Sequence, residues 1–347
     1  MQLLEDICRH RSVAIAGLAK NAGKTECLNY ILRHARETGR RFAITSIGVD
    51  GENRDQVTET HKPEITLSAG MYFVTSEMHY RQKRLTAEIL DLSTCQTSLG
   101  RLVTARAVDS GKVILSGPAD TAAVRRLIAS MQSLGVQTTI VDGALSRLSL
   151  SAPEVTDAMV LATGAALSPN IQRIVQQTRY VYDLISLPRI EGHLAESLAS
   201  VQQGVRTVDT DGDVHDPGIQ SAYMVGSRKD ELFRHGKTIY VAGAVSEKLM
   251  KFLASQREVN GTVLIMKDFT RMFAEPQTYY TFLRKGGSVK VLHTTQLIAV
   301  TVNPRSPQGY TVDTGQLQDA LRQHISVPVY DIMEIQRKER EQSLQTA

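Results

Sequence analysis

Val13-Ala14-Ile15-Ala16-Gly17-Leu18-Ala19-Lys20-Asn21-Ala22-Gly23-Lys24-Thr25 is the stretch on which the reading of this chain turns. Small and β-branched apolar residues run straight into a loop ending Gly-Lys-Thr, and a helical pattern follows. The run predicts a buried strand delivering a phosphate-binding loop of the Walker A kind. In such a loop successive backbone N–H groups and the positive end of a helix dipole face an anion. Lys24 would neutralise charge on β- and γ-phosphates, and the Thr25 hydroxyl would take one position on Mg²⁺. The nucleotide-contacting set expected here is Gly17, Lys20, Asn21, Ala22, Gly23, Lys24, Thr25 and Glu26.

The fit departs from the common spacing at one place. G-x-x-x-x-G-K-[ST] wants glycine at position 18, where this chain has Leu18; its glycine is Gly17. The context is what the motif requires, with a strand before and a helix after. Cys27, Leu28, Ile31, Leu32 and Ala35 form a stripe at helical spacing, ending near Gly39. The plainer alternative is a glycine-containing turn with a surface lysine.

Working outward, Phe42 to Ile47 reads as a second strand running into Gly48-Val49-Asp50-Gly51-Glu52. Strands alternating with helices indicate a parallel sheet, whose ligands gather at the carboxyl ends of the strands. Asp50 is therefore a candidate for Mg²⁺, held directly or through water; a surface Asp-Gly turn is the alternative. Residues 60–107 break the rhythm and read as a rim insertion. In it Tyr80 to Leu90 is expected to be helical, and 94–98 and 101–105 to form a hairpin. Lys112 to Leu115 resumes the core strands, and a helix carries Val124, Leu127, Ile128, Met131 and Leu134. The next strand ends Ile140-Val141-Asp142-Gly143-Ala144, where a P-loop fold places a second Mg²⁺-linked carboxylate. Asp142 is that candidate, and Gly143 would let backbone approach a phosphate. An Asp capping the next segment is the alternative.

Asp157 to Ala165 reads as a further core strand, followed by a helix through Ile171, Ile174 and Val175 and a strand over Tyr180 to Ser186. The expected organisation is a nucleotide-binding domain over 1–188, a linker or loop region over 189–236, a C-terminal α/β domain over 237–335 and a charged tail over 336–347, read as a frayed helix. The acidic run from Val208 to Asp216 has an Asp-x-Asp-Gly core. Counting Asp209 as the first position of a calcium loop, the twelfth is Gln220 and not Glu, so a solvated loop is preferred.

Composition narrows the class. At 347 residues, 42% hydrophobic and 22% charged, the chain reads as globular. A net charge of +4 without basic blocks gives no argument for nucleic acid. Three cysteines far apart in sequence read as small core residues of a reducing compartment. With no signal-type apolar run or membrane-length stretch, the expectation is a cytoplasmic chain with no membrane association.

Two resemblances follow from these motifs. Gly17, five residues, then Gly23-Lys24-Thr25 resembles the phosphate loop of dethiobiotin synthetase; Ile140 to Ala144 is similar to that family's Val-Glu-Gly-Ala segment, and Val160 to Ala165 to its next strand. This implies an α/β P-loop NTPase fold of the dethiobiotin-synthetase and MinD class, a parallel sheet with a rim insertion and a second, smaller α/β region. A narrower resemblance rests on Gly17 to Thr25, Thr45 to Glu52, Lys62-Pro63, Val141 to Ala144, Leu161 to Ala165 and Thr301 to Tyr310. Together these resemble the P-loop subunit (the KamB type) encoded beside lysine 5,6-aminomutase in lysine fermentation clusters.

That resemblance implies an ATP-dependent reactivating factor. Adenosylcobalamin mutases lose the adenosyl group of their cofactor, and a reactivase uses nucleotide energy to open the mutase for cofactor exchange. It would be a chaperone working with a second reactivase subunit on an adenosylcobalamin-dependent aminomutase, using ATP and Mg²⁺. Asp50 and Asp142 would sense Mg²⁺ and γ-phosphate, and Lys20 would reach the γ-phosphate in cis or across a homodimer. The rival classes are an ATP-dependent ligase or kinase like dethiobiotin synthetase, with Lys20, Lys62 and Arg147 as substrate contacts, and a cofactor-inserting GTPase. Asn-Lys-x-Asp, the usual guanine signature, is absent; Ser227-Arg228-Lys229-Asp230 is the nearest string.

Overall fold

The computed structural model describes residues 2–47, 65–118, 120–143, 152 and 155–345. Contacts divide the chain into two units, Met1–Thr178 with Thr295–Ala347, and Arg179–Thr294. The chain opens with α1 (Gln2–Cys8), β1 (Ser12–Gly17), α2 (Lys24–Ala35), β2 (Phe42–Ser46), β3 (Ile65–Leu67) and β4 (Tyr72–Ser76). There follow α3 (Glu77–Gln82), β5 (Ala87–Thr97), β6 (Gly100–Ala107), β7 (Gly111–Val113), α4 (Thr121–Ser133), β8 (Thr138–Asp142) and β9 (Ala158–Gly164). Helix α5 (Ile171–Ile185) leads into the second unit.

That unit holds α6 (His193–Ala199), β10 (Val205–Val208), β11 (Val214–His215), α7 (Lys229–Phe233), β12 (Thr238–Val241) and β13 (Val245–Ser246). It continues with α8 (Glu247–Ser255), β14 (Val263–Met266), β15 (Met272–Phe273), α9 (Pro276–Arg284) and β16 (Ser288–Val291). The chain then returns to the first unit with β17 (Gln296–Asn303), α10 (Thr314–Arg322), β18 (Val329–Asp331) and α11 (Ile332–Gln345).

The first unit is built on a nine-stranded sheet of order β18-β17-β9-β1-β8-β2-β4-β6-β5. The seven strands from β18 to β4 run parallel, and β6 and β5 close the edge antiparallel. The fold is thus α/β with a mixed, largely parallel central sheet. Interior parallel strands are covered on both faces, which is why β1 is apolar from Val13 to Ala16 and every residue of the strand is buried. Val13 and Ile15 pack with Leu3, Leu4 and Ile7 of α1 and Leu28 and Ile31 of α2. On the other face Val141 of β8 packs with Val124 and Ile128 of α4. Complete burial of a side chain such as Ile15 or Leu28 stabilises the fold by about 1.5–3 kcal/mol.

The architecture differs from the sequence expectation in several places. The helix expected over Tyr80 to Leu90 ends at Gln82, where Lys83 turns extended, and β5 takes the rest. Ile89 and Leu92 are exposed on that edge strand, so the apolar spacing there has no helix face behind it. The segment 60–107 is not merely an attachment: β4 pairs parallel with β2 and extends the main sheet. Lys112-Val113, expected in the core sheet, pairs instead with β3 in a separate two-stranded sheet.

Tyr180 to Ile185 is helix, continuous with Ile174 and Val175, despite its aromatic and β-branched content. Thr178 helps bind this helix to β9 through a 2.8 Å hydroxyl contact with Thr163. The stretch 237–335 is divided: β17 pairs with β9 from Gln296–Ala158 to Asn303–Gly164, and β18 adds beyond it. The helix expected in the tail is present through Gln345, with Glu339 accepting a 3.2 Å hydrogen bond from the Tyr30 hydroxyl of α2.

The second unit has a five-stranded sheet of order β11-β10-β12-β14-β16, in which β12, β14 and β16 are parallel and joined through α8 and α9. Residues expected as a linker contribute β10, antiparallel to β12. The acidic run becomes the β10–β11 turn. Asp209 accepts from the backbone N–H groups of Asp211 (3.0 Å) and Asp213 (2.9 Å) and meets His215 at 2.6 Å. No helix among the described residues is long and apolar enough to cross a membrane.

Candidate functional site

The opening motif lies where an open parallel sheet gathers its ligands. Strand β1 ends at Gly17 between β8 and β9, and the chain turns through residues 18–23 into α2. Leu18 donates its N–H to the Ala162 carbonyl at 2.8 Å, tying the start of the loop to β9. Leu18 and Ala22 are buried, while Lys20 and Asn21 stand exposed at the tip. Leu18 thus occupies the position where the common motif has glycine with its side chain turned inward, at φ outside the left-handed region.

Two residues make the loop's sharp turn. Asn21 has φ 62°, the one non-glycine residue with positive φ among those described, and Gly23 has φ 98°. Asparagine and glycine tolerate this conformation because the first hydrogen-bonds locally and the second has no Cβ. Gly23 is the N-cap of α2 and offers no side chain to its first-turn N–H groups. Those donors, from Lys24, Thr25 and Glu26, are left without side-chain caps at the positive end of the helix, an arrangement suited to an anion.

Lys24 folds back over the loop. A Cβ built on Gly17 would sit 2.8 Å from its Cγ and 3.1 Å from its Nζ, so only glycine at position 17 allows that path. Burial holds the Lys24 ammonium below the ordinary lysine value, and the Asp142 carboxylate nearby partly offsets this. Asp142 ends β8 in register with Ile15 of β1 and Ser46 of β2. Gly143 follows, donating its N–H to the Ile15 carbonyl at 3.1 Å. Gly17, Lys24, Asp142 and Gly143 are thereby brought together at one strand end, with Thr25, half-buried, in the first turn of α2. Asp50, Lys62 and Arg147 lie outside the described residues.

Sequence reasoning gave no site role to Asn303, which the fold sets against the loop. Its Nδ2 donates to the Asn21 carbonyl at 3.3 Å, and its Cβ would meet a Cβ on Gly23 at 2.9 Å. Its own carbonyl accepts from Ala165 N–H at 2.9 Å. The available signal was the polar Asn-Pro ending of an otherwise apolar strand. A cavity of 650 Å³ opens just beyond, lined by Pro304, Arg305, Gln318, Arg337 and Arg340 among others. Also on this rim, Gly117 lies so close to the Ser46 carbonyl that a Cβ would overlap it. Next to it Ser116, fully buried, hydrogen-bonds Nδ1 of the equally buried His79 at 2.7 Å.

The donor set fits a magnesium nucleotide: uncapped N–H groups and a half-buried lysine for phosphate, a hydroxyl and a carboxylate for a hard cation. No family model, curated protein or solved structure matches this chain.

Proposed function

We propose that the chain binds ATP with Mg²⁺ at residues 17–26, hydrolyses it, and uses the nucleotide state to drive a reactivating chaperone for an adenosylcobalamin-dependent aminomutase. The observation that carries the nucleotide reading is the path of Lys24 over Gly17, with Asp142 beside it. Under this P-loop NTPase reading the N–H groups at the start of α2 hold the phosphates, and Lys24 sits against β- and γ-phosphate oxygens. Mg²⁺, when bound, would supply positive charge to stabilise the charge on the phosphate oxygens. Thr25 would ligate it directly, and Asp142 would orient its water ligands. Water adds to the γ-phosphorus as the bond to the β-phosphate oxygen breaks, giving ADP and phosphate. Lys20, exposed at the loop tip, would reach γ-phosphate or a second copy of the loop. The cavity beyond Asn303 has room for the nucleoside.

Coupling to a client is supported by connectivity. Arg179–Thr294 is inserted between α5, which follows β9, and β17. Both strands touch the loop, β9 through Ala162 and β17 through Asn303. A change in the loop on loss of γ-phosphate therefore reaches both chain connections of the inserted unit. Such coupling moves a partner only if that partner binds the two states with different affinity.

The test uses lysine 5,6-aminomutase inactivated by turnover. Adding this protein, its partner subunit, ATP and adenosylcobalamin should restore activity well above a no-ATP control. Recovery equal to that control would discard the reactivase role. ATP turnover with a small acceptor becoming phosphorylated or ligated would favour the ligase or kinase class.

A further inference from the structure

At the opposite end of the sheet from the phosphate loop, the amino-terminal ends of β2 and β4 border a cavity of 370 Å³. Its walls carry Arg36, Arg40 and Arg41 from the segment joining α2 to β2, and Arg106 from β6. Among the described residues no aspartate or glutamate lines it. The backbone of Gly39 and Gly70 and the side chains of Phe42, Met71 and Tyr72 complete the wall.

Three observations give these arginines a meaning beyond a solvated basic face. Among the described residues, Arg36, Arg40 and Arg41 form no ion pair; only Arg106 does, with Glu88, and both of those side chains are about half exposed (47% and 49%). An exposed pair of that kind neutralises little. The Nε of Arg40 is buried and has no hydrogen-bond partner among the described residues. A buried charged donor left unmade is costly and calls for a ligand oxygen or water. Finally, arginines after a helix C-terminus complement its dipole, and that explains Arg36 and Arg40 in position but not Arg106, which comes from a strand.

We infer that this cavity is a second anion site, separate from the phosphate loop, which binds a small phosphorylated molecule through Arg36, Arg40 and Arg106. Guanidinium groups match phosphate oxygens in paired hydrogen bonds, while Phe42, Met71 and Tyr72 offer an apolar wall to an organic body. The volume suits a compact metabolite rather than a polymer. Helix α2 has the phosphate loop at its first turn, and Ala35, at its last turn, lines the cavity. Its 12 residues span about 18 Å. An anion held at the cavity is thereby connected to the loop through one rigid element.

The full chain carrying Lys24→Ala, which removes the phosphate-loop charge, is titrated calorimetrically with inorganic pyrophosphate and, separately, with ribose 5-phosphate. Saturable one-site binding is expected, with hydrogen-exchange protection over 36–42 and 69–72. Tighter binding of ribose 5-phosphate assigns the site to an organic phosphate, and tighter pyrophosphate to an inorganic one. Adding Arg40→Gln, or independently the exposed Arg36→Gln, should weaken binding about tenfold. Two arginine sites guard against one variant merely disturbing the fold. Absence of saturable binding, affinity unchanged from the Lys24→Ala parent in both arginine variants, or protection confined to 17–26 would overturn the inference.

Discussion

Asn303 donates from Nδ2 to the carbonyl of Asn21 at 3.3 Å, joining the end of β17 to the tip of the β1–α2 loop across 282 positions of sequence. The bond holds a loop whose turn rests on a left-handed asparagine, and its donor strand follows the inserted unit. Asn303→Ala should therefore loosen the loop without removing any phosphate donor. Titration calorimetry should find ATP affinity reduced about three- to tenfold, with the thermal midpoint little changed. Unchanged affinity would remove Asn303 from the site.

Gly23 is constrained twice, by its φ of 98° and by Asn303 2.9 Å from where a Cβ would sit. Gly23→Ala is expected to cost about 1–3 kcal/mol of stability through backbone strain, together with most of the nucleotide affinity. Chemical denaturation reads the first effect and calorimetry the second. Gly17→Ala acts differently: its backbone needs no left-handed angle, but the new methyl displaces Lys24. It should keep the fold and lose more than about tenfold in ATP affinity.

Protonation offers a separate readout. Burial lowers the pKa of Lys24 from 10.5, and Asp142 opposes that shift. Between the lowered value and 10.5 the unfolded chain holds the proton and the folded chain does not, so this residue makes stability rise with pH there and favours unfolding below it. A bound phosphate restores the ammonium. ATP binding at alkaline pH should thus take up protons, seen as a dependence of binding heat on buffer ionisation enthalpy. Asp142→Asn should enlarge the uptake, because the free lysine then titrates lower still. The same variant should retain some binding while hydrolysis falls by more than about tenfold.

The division of the chain makes a prediction about fragments. A 1–188 piece lacks β17 and β18, leaving β9 as an edge whose residues are all buried in the full chain. Unpaired apolar edges associate, so this fragment should aggregate or melt without a cooperative transition in circular dichroism. A soluble, cooperatively folded 1–188 would show that β17 is dispensable.

What the sequence made legible follows from the range of the signal. The strand, loop and helix of residues 13–35 are encoded locally, in an apolar run, a Gly-Lys-Thr and a helical stripe, and they fold as read. Asp142 was legible because it ends an apolar strand. Asn303 was not, since its role depends on which strand lies beside β9, and nothing near Leu297 to Asn303 encodes that neighbour. Tyr180 to Ile185 reads as strand by residue type, yet Val181, Leu184 and Ile185 bury one side of a helix begun at Ile171. Tertiary burial there outweighs propensity. The basic cavity was equally hidden, because Arg106 and Arg40 meet only through sheet pairing.

The central claim is that the loop from Gly17 to Thr25 holds ATP through Lys24. Calorimetric titration of the full chain and of Lys24→Ala with ATP and Mg²⁺ tests it most directly. The account predicts one saturable site in the native chain and no measurable heat of binding in the variant. Equal affinity in the two proteins would contradict it.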